Sequence, residues 1–183
     1  MKLAVILSEK RGALSGKWFD MIVASYPENT VNFLKKQKDQ FANPVGYTIS
    51  KMTGSVLEVL CNRYPVEHAY EAIDRFVRIR AVQDFSPSAA LDFLPMLKQL
   101  LKEVLKEEIK DDTTFEEFAQ INQTIDNLML NAFESYMKYR ERIYELKVNE
   151  FKNMAFRLLE KANLTFEFKD EEPVQKSEED NVK

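Results

Sequence analysis

The chain has 183 residues, 45% hydrophobic and 31% charged, with a formal net charge of -4. That length and apolar content suit one domain with its own core and exclude a chain disordered throughout. The acidic balance argues against a nucleic-acid binder, which presents a basic face. A single cysteine excludes an internal disulfide framework and points to a reducing compartment.

The opening run, MKLAVILSEKRGALSGKW, has an apolar stretch from Leu3 to Leu7. It is too short for a signal-peptide core, and no later stretch reaches the length of a membrane span, so a cytoplasmic protein is expected. A first helix is expected within residues 2 to 25, broken near Gly12 or Gly16, with a restart after Pro27. Asn43 reads as a helix cap with Pro44 at the first helical position, a strong start signal. Pro65 repeats the device, and so do Ser86 and Pro87. Cys61, in VLEVLCNRY, reads as a small core residue. Pro95 removes a backbone donor inside the segment that Pro87 opens, so a kink or break near Leu94 is expected. Beyond it, Leu97, Leu100, Leu101, Val104 and Leu105 share one helical face. Proline-opened helices without strand signals predict an all-α fold.

The last element is the longest. From Thr114 to about Lys161 neither proline nor glycine interrupts the chain, and Thr113 with Glu116 reads as a capping box. Ile125, Leu128, Ala132, Tyr136, Tyr139, Ile143 and Leu146 step by three and four, a heptad-like seam. Unbroken, this helix would run roughly 70 Å, longer than a domain of this size needs. A helical domain over residues 1–163 is therefore expected. Residues 164–183 would form an acidic, disordered tail, with a short strand through Leu164, Phe166 and Phe168 at its start.

No catalytic constellation is visible. One histidine excludes Ser-His-Asp triads other than through His68 and all multi-histidine metal sites, and no P-loop, GxGxxG or CxxC occurs. The chain reads as a non-enzyme without metal or cofactor, and His68 as a surface or packing residue. The run RIRAVQDFSPSAAL, beginning at Arg78, carries the one unusual polar cluster. Arg80 falls on the apolar face with Ile73, Phe76, Val77, Ala81 and Asp84, so it needs a partner, and Asp84 lies four residues on. Two readings stay open. In the first, Arg80 pairs with Asp84 and the cluster locks a helix junction, with Gln83 or Asp84 tying down the Ser86-Pro87 turn. In the second, Arg78, Arg80 and Gln83, with Asp84, Ser86 and Ser88 nearby, line a small anionic-ligand site at a helix N-terminus. Asn43, Pro44 and Gly46, in NPVG, form a second candidate loop, explained equally by capping and close helix approach.

With these residues in view the chain resembles the N-terminal sensor domain family of the RsbT co-antagonist proteins of the RsbR and RsbD type. The landmarks are Trp18, SYPENT at 25–30, FANPVG at 41–46, VRIRAVQDFSPSAAL at 77–91, Leu97-Lys98 and IDNLMLNAFESYMKYRERIYELKVNEFK further on. The resemblance covers about residues 5–155. It implies a helical regulatory input module, similar to globins that lack haem, which dimerises and passes its signal along a long C-terminal helix. The expected function is a non-enzymatic sensor acting through homodimerisation and a protein signalling partner. The alternative is a small-molecule-binding helical protein or enzyme with a pocket near Arg80.

Overall fold

The computed structural model describes residues 2–36 and 39–162. Among them are seven helices and no strand: α1 Lys2–Val23, α2 Glu28–Lys36, α3 Pro44–Leu60, α4 Val66–Val82, α5 Pro87–Leu91, α6 Phe93–Leu105 and α7 Asp112–Lys161. The fold is all-α with a long final helix, as the pattern predicts. The chain divides into two compact units, residues 1–143 and 144–183, and α7 contributes to both. The expected tail and the short strand through Leu164, Phe166 and Phe168 lie outside the described residues.

In the first unit α3 packs along α1 and α4, and α1 also packs on α6. Trp18, Ile49, Met52, Phe76, Phe93 and Leu97 are completely buried at this centre. Each such side chain stabilises the fold by about 1.5–3 kcal/mol relative to exposure. The Trp18 indole N–H is buried too, and it donates to the Phe93 carbonyl at 2.8 Å. That bond removes the cost of burying an unpaired donor. α1 continues through Gly12 and Gly16, where a break was expected. Burial of Leu7, Leu14, Trp18 and Ile22 along α1 outweighs two glycine penalties of about 1 kcal/mol each.

Helix starts follow the sequence signals with informative shifts. Asn43 caps α3 by accepting from Gly46 N–H at 2.8 Å, and Pro44 opens the helix. Ser86 caps α5. Pro65 takes the cap position of α4 rather than its first turn. The break that Pro95 signals falls at Asp92, between α5 and α6, rather than near Leu94. Proline cannot donate to the carbonyl four residues before it, so the ladder fails upstream, and Pro95 itself sits harmlessly in the first turn of α6. The Thr113–Glu116 box is not what starts α7. Asp111 Oδ1 accepts from Thr114 N–H at 2.8 Å, and Thr114 Oγ1 accepts from Asp111 N–H at 3.2 Å. The reciprocal pair sits two residues earlier than expected and uses threonine where glutamate is usual. Glu117, further along α7, accepts from the N–H groups of Lys2 and Leu3 at the start of α1.

The heptad-like seam of α7 divides. Ile125, Leu128, Ala132 and Tyr136 are buried in the core of the first unit, whereas Leu146, in the second, is exposed. The second unit's described part is the remainder of α7. It exposes Val148, Phe151, Met154, Phe156 and Leu158. No helix among the described residues is long and apolar enough to cross a membrane.

Asn43, Pro44 and Gly46 come together as a splice between α2 and α3. While Asn43 Oδ1 caps α3, its Nδ2 donates to the Leu34 carbonyl at 2.9 Å, and Asn43 is fully buried. A Cβ on Gly46 would run into the Asn43 side chain and the Leu34 backbone. Gly46→Ala should therefore lower unfolding stability by about 1–3 kcal/mol, the range for overpacking a tight site. Urea denaturation would read this directly, and an unchanged midpoint would mean that α2 and α3 separate without cost.

Candidate functional site at the α4–α5 turn

The polar cluster of the sequence resolves around Arg80. α4 ends at Val82, with Gln83 as its cap residue, and Asp84 follows in the left-handed region at φ 62°. Phe85 N–H then reaches back to the Arg80 carbonyl at 3.2 Å, and Asp84 N–H to the Ala81 carbonyl at 3.4 Å. This is a Schellman termination with aspartate in the place usually held by glycine. It folds Phe85 back over the last turn, so the Phe85 ring lies 4.3 Å from the Arg80 guanidinium carbon. The Phe76 ring lies at 4.9 Å and the Tyr26 ring at 5.0 Å. Three aromatic rings thus enclose a side chain with no exposed surface.

The nitrogen atoms are served from two other elements. Arg80 Nη1 donates to the Ala89 carbonyl on α5 at 2.7 Å, and Nη2 donates to Ser25 Oγ, just past α1, at 2.9 Å. The nearest carboxylate is Asp92, at the α5–α6 break, with Oδ1 3.6 Å from Nη1. Neither Arg80 Nε nor Asp92 Oδ1 has a hydrogen-bond partner. Burial pulls Arg80 below its ordinary pKa, and Tyr26 and Asp92 oppose that pull. Burial likewise pushes the Asp92 carboxyl above the usual carboxylate range, against the attraction of Arg80. In both groups desolvation wins, which fits a pair held beyond hydrogen-bond distance. The magnitudes agree. Hydrogen bonds from a charged donor contribute about 1.5–3 kcal/mol each, and desolvated cation–π contacts up to about 2. A loose ion pair between a buried guanidinium and a partly exposed carboxylate contributes little net.

The expected Arg80–Asp84 pair is therefore corrected. An i, i+4 contact needs both residues on continuous helix, and Asp84 lies beyond the helix end with its side chain 75% exposed. Its partner is Arg140 of α7, whose Nη1 donates to Asp84 Oδ1 at 2.5 Å and to the Ala81 carbonyl at 3.1 Å. Four residues earlier on α7, Tyr136 Oη donates to the Phe85 carbonyl at 2.5 Å. Two consecutive turns of α7 thus grip the turn that closes over Arg80.

The remaining predicted residues disperse around this centre. Gln83 Oε1 accepts from Tyr26 Oη at 3.1 Å, and Ser86 Oγ caps α5 through Ala89 N–H at 3.4 Å. Ser88 Oγ lies 3.4 Å from Ser86 Oγ. Arg78 is exposed on α4 and takes no part in the enclosure. Around Arg80 the space expected for a ligand is filled by the rings of Tyr26, Phe76 and Phe85 and by protein acceptors. Sequence reasoning missed Ser25, Tyr26, Asp92, Tyr136 and Arg140. All but Asp92 belong to segments already singled out, SYPENT and the long helix, but nothing in the spacing says that those segments meet. Elsewhere, His68 stacks on Tyr64 at 4.7 Å and lies 3.5 Å from Glu58 Oε2, a packing role as expected.

The family model of the RsbT co-antagonist protein rsbRD N-terminal domain matches residues 12–150. No curated protein and no solved structure matches the chain.

Arg80→Ala should cost about 3 kcal/mol or more, because it empties the ring enclosure and leaves Asp92 without its neighbouring cation. A variant that melts like the parent would remove the structural role of the cluster. Asp92 gives a signed pH effect. Its folded pKa is raised from 3.8, so its contribution to stability is present at low pH and is lost as pH rises through the folded value. The stability of the parent relative to Asp92→Asn should therefore fall as pH is raised upward from 3.8. Urea titrations of both proteins across that range check the sign; a rising difference would contradict it.

Proposed function

The chain belongs to the RsbT co-antagonist protein rsbRD N-terminal domain family, whose members are regulatory modules of stress signalling, and from that premise we propose that it is a non-enzymatic sensor with α7 as its output element. The observation that carries the reading is the grip of Tyr136 and Arg140 on the α4–α5 turn. A change that loosens the Arg80 enclosure alters the turn, and the turn is bonded to α7. The element then has two arrangements, gripped and released, which is what a relay requires. The module works in the cytoplasm, in keeping with the free thiol of Cys61, and hands its signal to a protein partner.

Its output form is a homodimer. Phe151, at 71% exposure, and Met154, at 54%, lie on the part of α7 in the second unit, together with exposed Val148, Phe156 and Leu158. Apolar side chains at that density on one helix need a cover, and a symmetric second copy is the commonest one. Both residues contribute to the contact.

Two measurements test these statements separately. Sedimentation at tens of micromolar should give a dimer for the parent chain and a monomer for Phe151→Glu/Met154→Glu; a monomeric parent would sink the dimer. Tyr136→Phe leaves the Phe85 carbonyl without its donor, at a cost of about 1–3 kcal/mol. Hydrogen exchange should then quicken in the α4–α5 turn and in α7 near Tyr136 while α1 and α3 keep their protection. Uniform loss of protection would mean a plain core defect and not a relay.

A further inference from the structure

A second site lies on the other side of α4, away from the Arg80 enclosure. α3 and α4 run side by side and leave a cleft of about 450 Å³, within the range of small-molecule sites. Its apolar lining comes from Met52, which is fully buried, with Pro44, Tyr47 and Ala72. Its charged lining comes from Lys51 on α3 and from Glu71 and Arg75 on α4, with His68 beside them. Lys51 Nζ is held over the Tyr47 ring at 5.5 Å, so one cation is already placed against the aromatic wall.

The charges in this cleft are unspent. Glu71 and Arg75 stand four residues apart on α4, the spacing at which helical ion pairs form, yet they make no ion pair in the described structure, and neither does Lys51. His68, by contrast, is already engaged with Glu58, which also holds Arg11. Two cations without carboxylate partners therefore line one concave, partly apolar surface, on a chain whose net charge is -4. A guanidinium fork suits a planar carboxylate, to which it can donate two parallel hydrogen bonds. Glu71 on the same wall disfavours a dianion such as a phosphate ester, because like charges at close range repel.

We propose that the α3–α4 cleft binds a small monocarboxylate with an aromatic or otherwise apolar body. Arg75 and Lys51 receive the carboxylate, and Tyr47, Pro44 and Ala72 receive the body, over a floor backed by the buried Met52. Binding here is independent of the dimer and of the grip on α7.

Benzoate serves as the probe, with benzyl alcohol as its uncharged counterpart and acetate as the anion without the ring. Saturation-transfer NMR and thermal melting on the full chain should show benzoate binding at millimolar concentration and raising the melting midpoint, since a ligand specific for the folded state stabilises it. Benzyl alcohol and acetate should each bind more weakly. Arg75→Gln and Lys51→Gln should each weaken benzoate binding by about fivefold, in line with loss of one partly exposed charge-assisted contact. Both side chains are exposed, so the ligand-free melting midpoint should stay where it is. Absence of benzoate binding up to tens of millimolar would overturn the proposal. So would binding that survives in the Arg75→Gln/Lys51→Gln double variant, or equal binding of benzyl alcohol.

Discussion

A guanidinium with no exposed surface must be surrounded on every side by groups that tolerate a cation, and around Arg80 five separate elements meet that condition together. The end of α1 brings Ser25 and Tyr26, α4 brings Phe76, the Schellman turn brings Phe85, α5 brings the Ala89 carbonyl, and the α5–α6 break brings Asp92. Remove any one and the desolvated charge loses part of its compensation. Desolvation and recovery are both of several kcal/mol here, so the enclosure fixes geometry more than it adds stability. The helix ends that meet here are tied to one another through this one residue.

The sequence predicts most of the local structure around that residue and little of its wiring. The Asn43 and Ser86 caps, the helix openings at Pro44 and Pro87 and the unbroken α7 are written in side chains that act within a turn or two of themselves. The same holds for the apolar position of Arg80, which follows from three-and-four spacing on α4. Its hydrogen-bond acceptors do not follow, because spacing describes one helix and Ala89 and Ser25 lie 9 and 55 residues away. The Arg80–Asp84 expectation fails for a local reason. Asp84 looks like the next turn of α4, but the backbone has already turned left-handed there, and aspartate is among the few side chains that accept this conformation. The heptad-like seam shows how far spacing reaches on a long helix. Spacing shows that one face of α7 is apolar, but it does not say where that face passes from burial in the first unit, as at Ile125 and Tyr136, to exposure, as at Leu146.

One landmark of the sequence gains a physical meaning residue by residue. In RAVQDFS, Arg80 is the enclosed cation, Gln83 accepts from Tyr26, and Asp84 makes the left-handed turn and takes Arg140. Phe85 covers the guanidinium with its ring and holds Tyr136 with its carbonyl, and Ser86 starts α5. Six of seven consecutive side chains, leaving out Val82, therefore pack or bond in one small volume, counting Ala81, which is buried and whose carbonyl takes Arg140. So many simultaneous duties in one run explain why its composition stands out against the ordinary helical segments on either side.

The cap on α1 carries a consequence for how the chain is made. The first N–H groups of α1, at Lys2 and Leu3, are satisfied by Glu117, 115 and 114 residues further along. On a ribosome α1 emerges before its cap, which follows after most of the first unit has been synthesised. Until then the start of α1 has only water for its free donors, and its frayed first turn cannot be sealed. Closing so long a loop is entropically slow and comes late in folding. α1 is thus completed by a residue made long after it, and a ribosome-bound fragment that stops before Glu117 would hold α1 with an unfinished beginning.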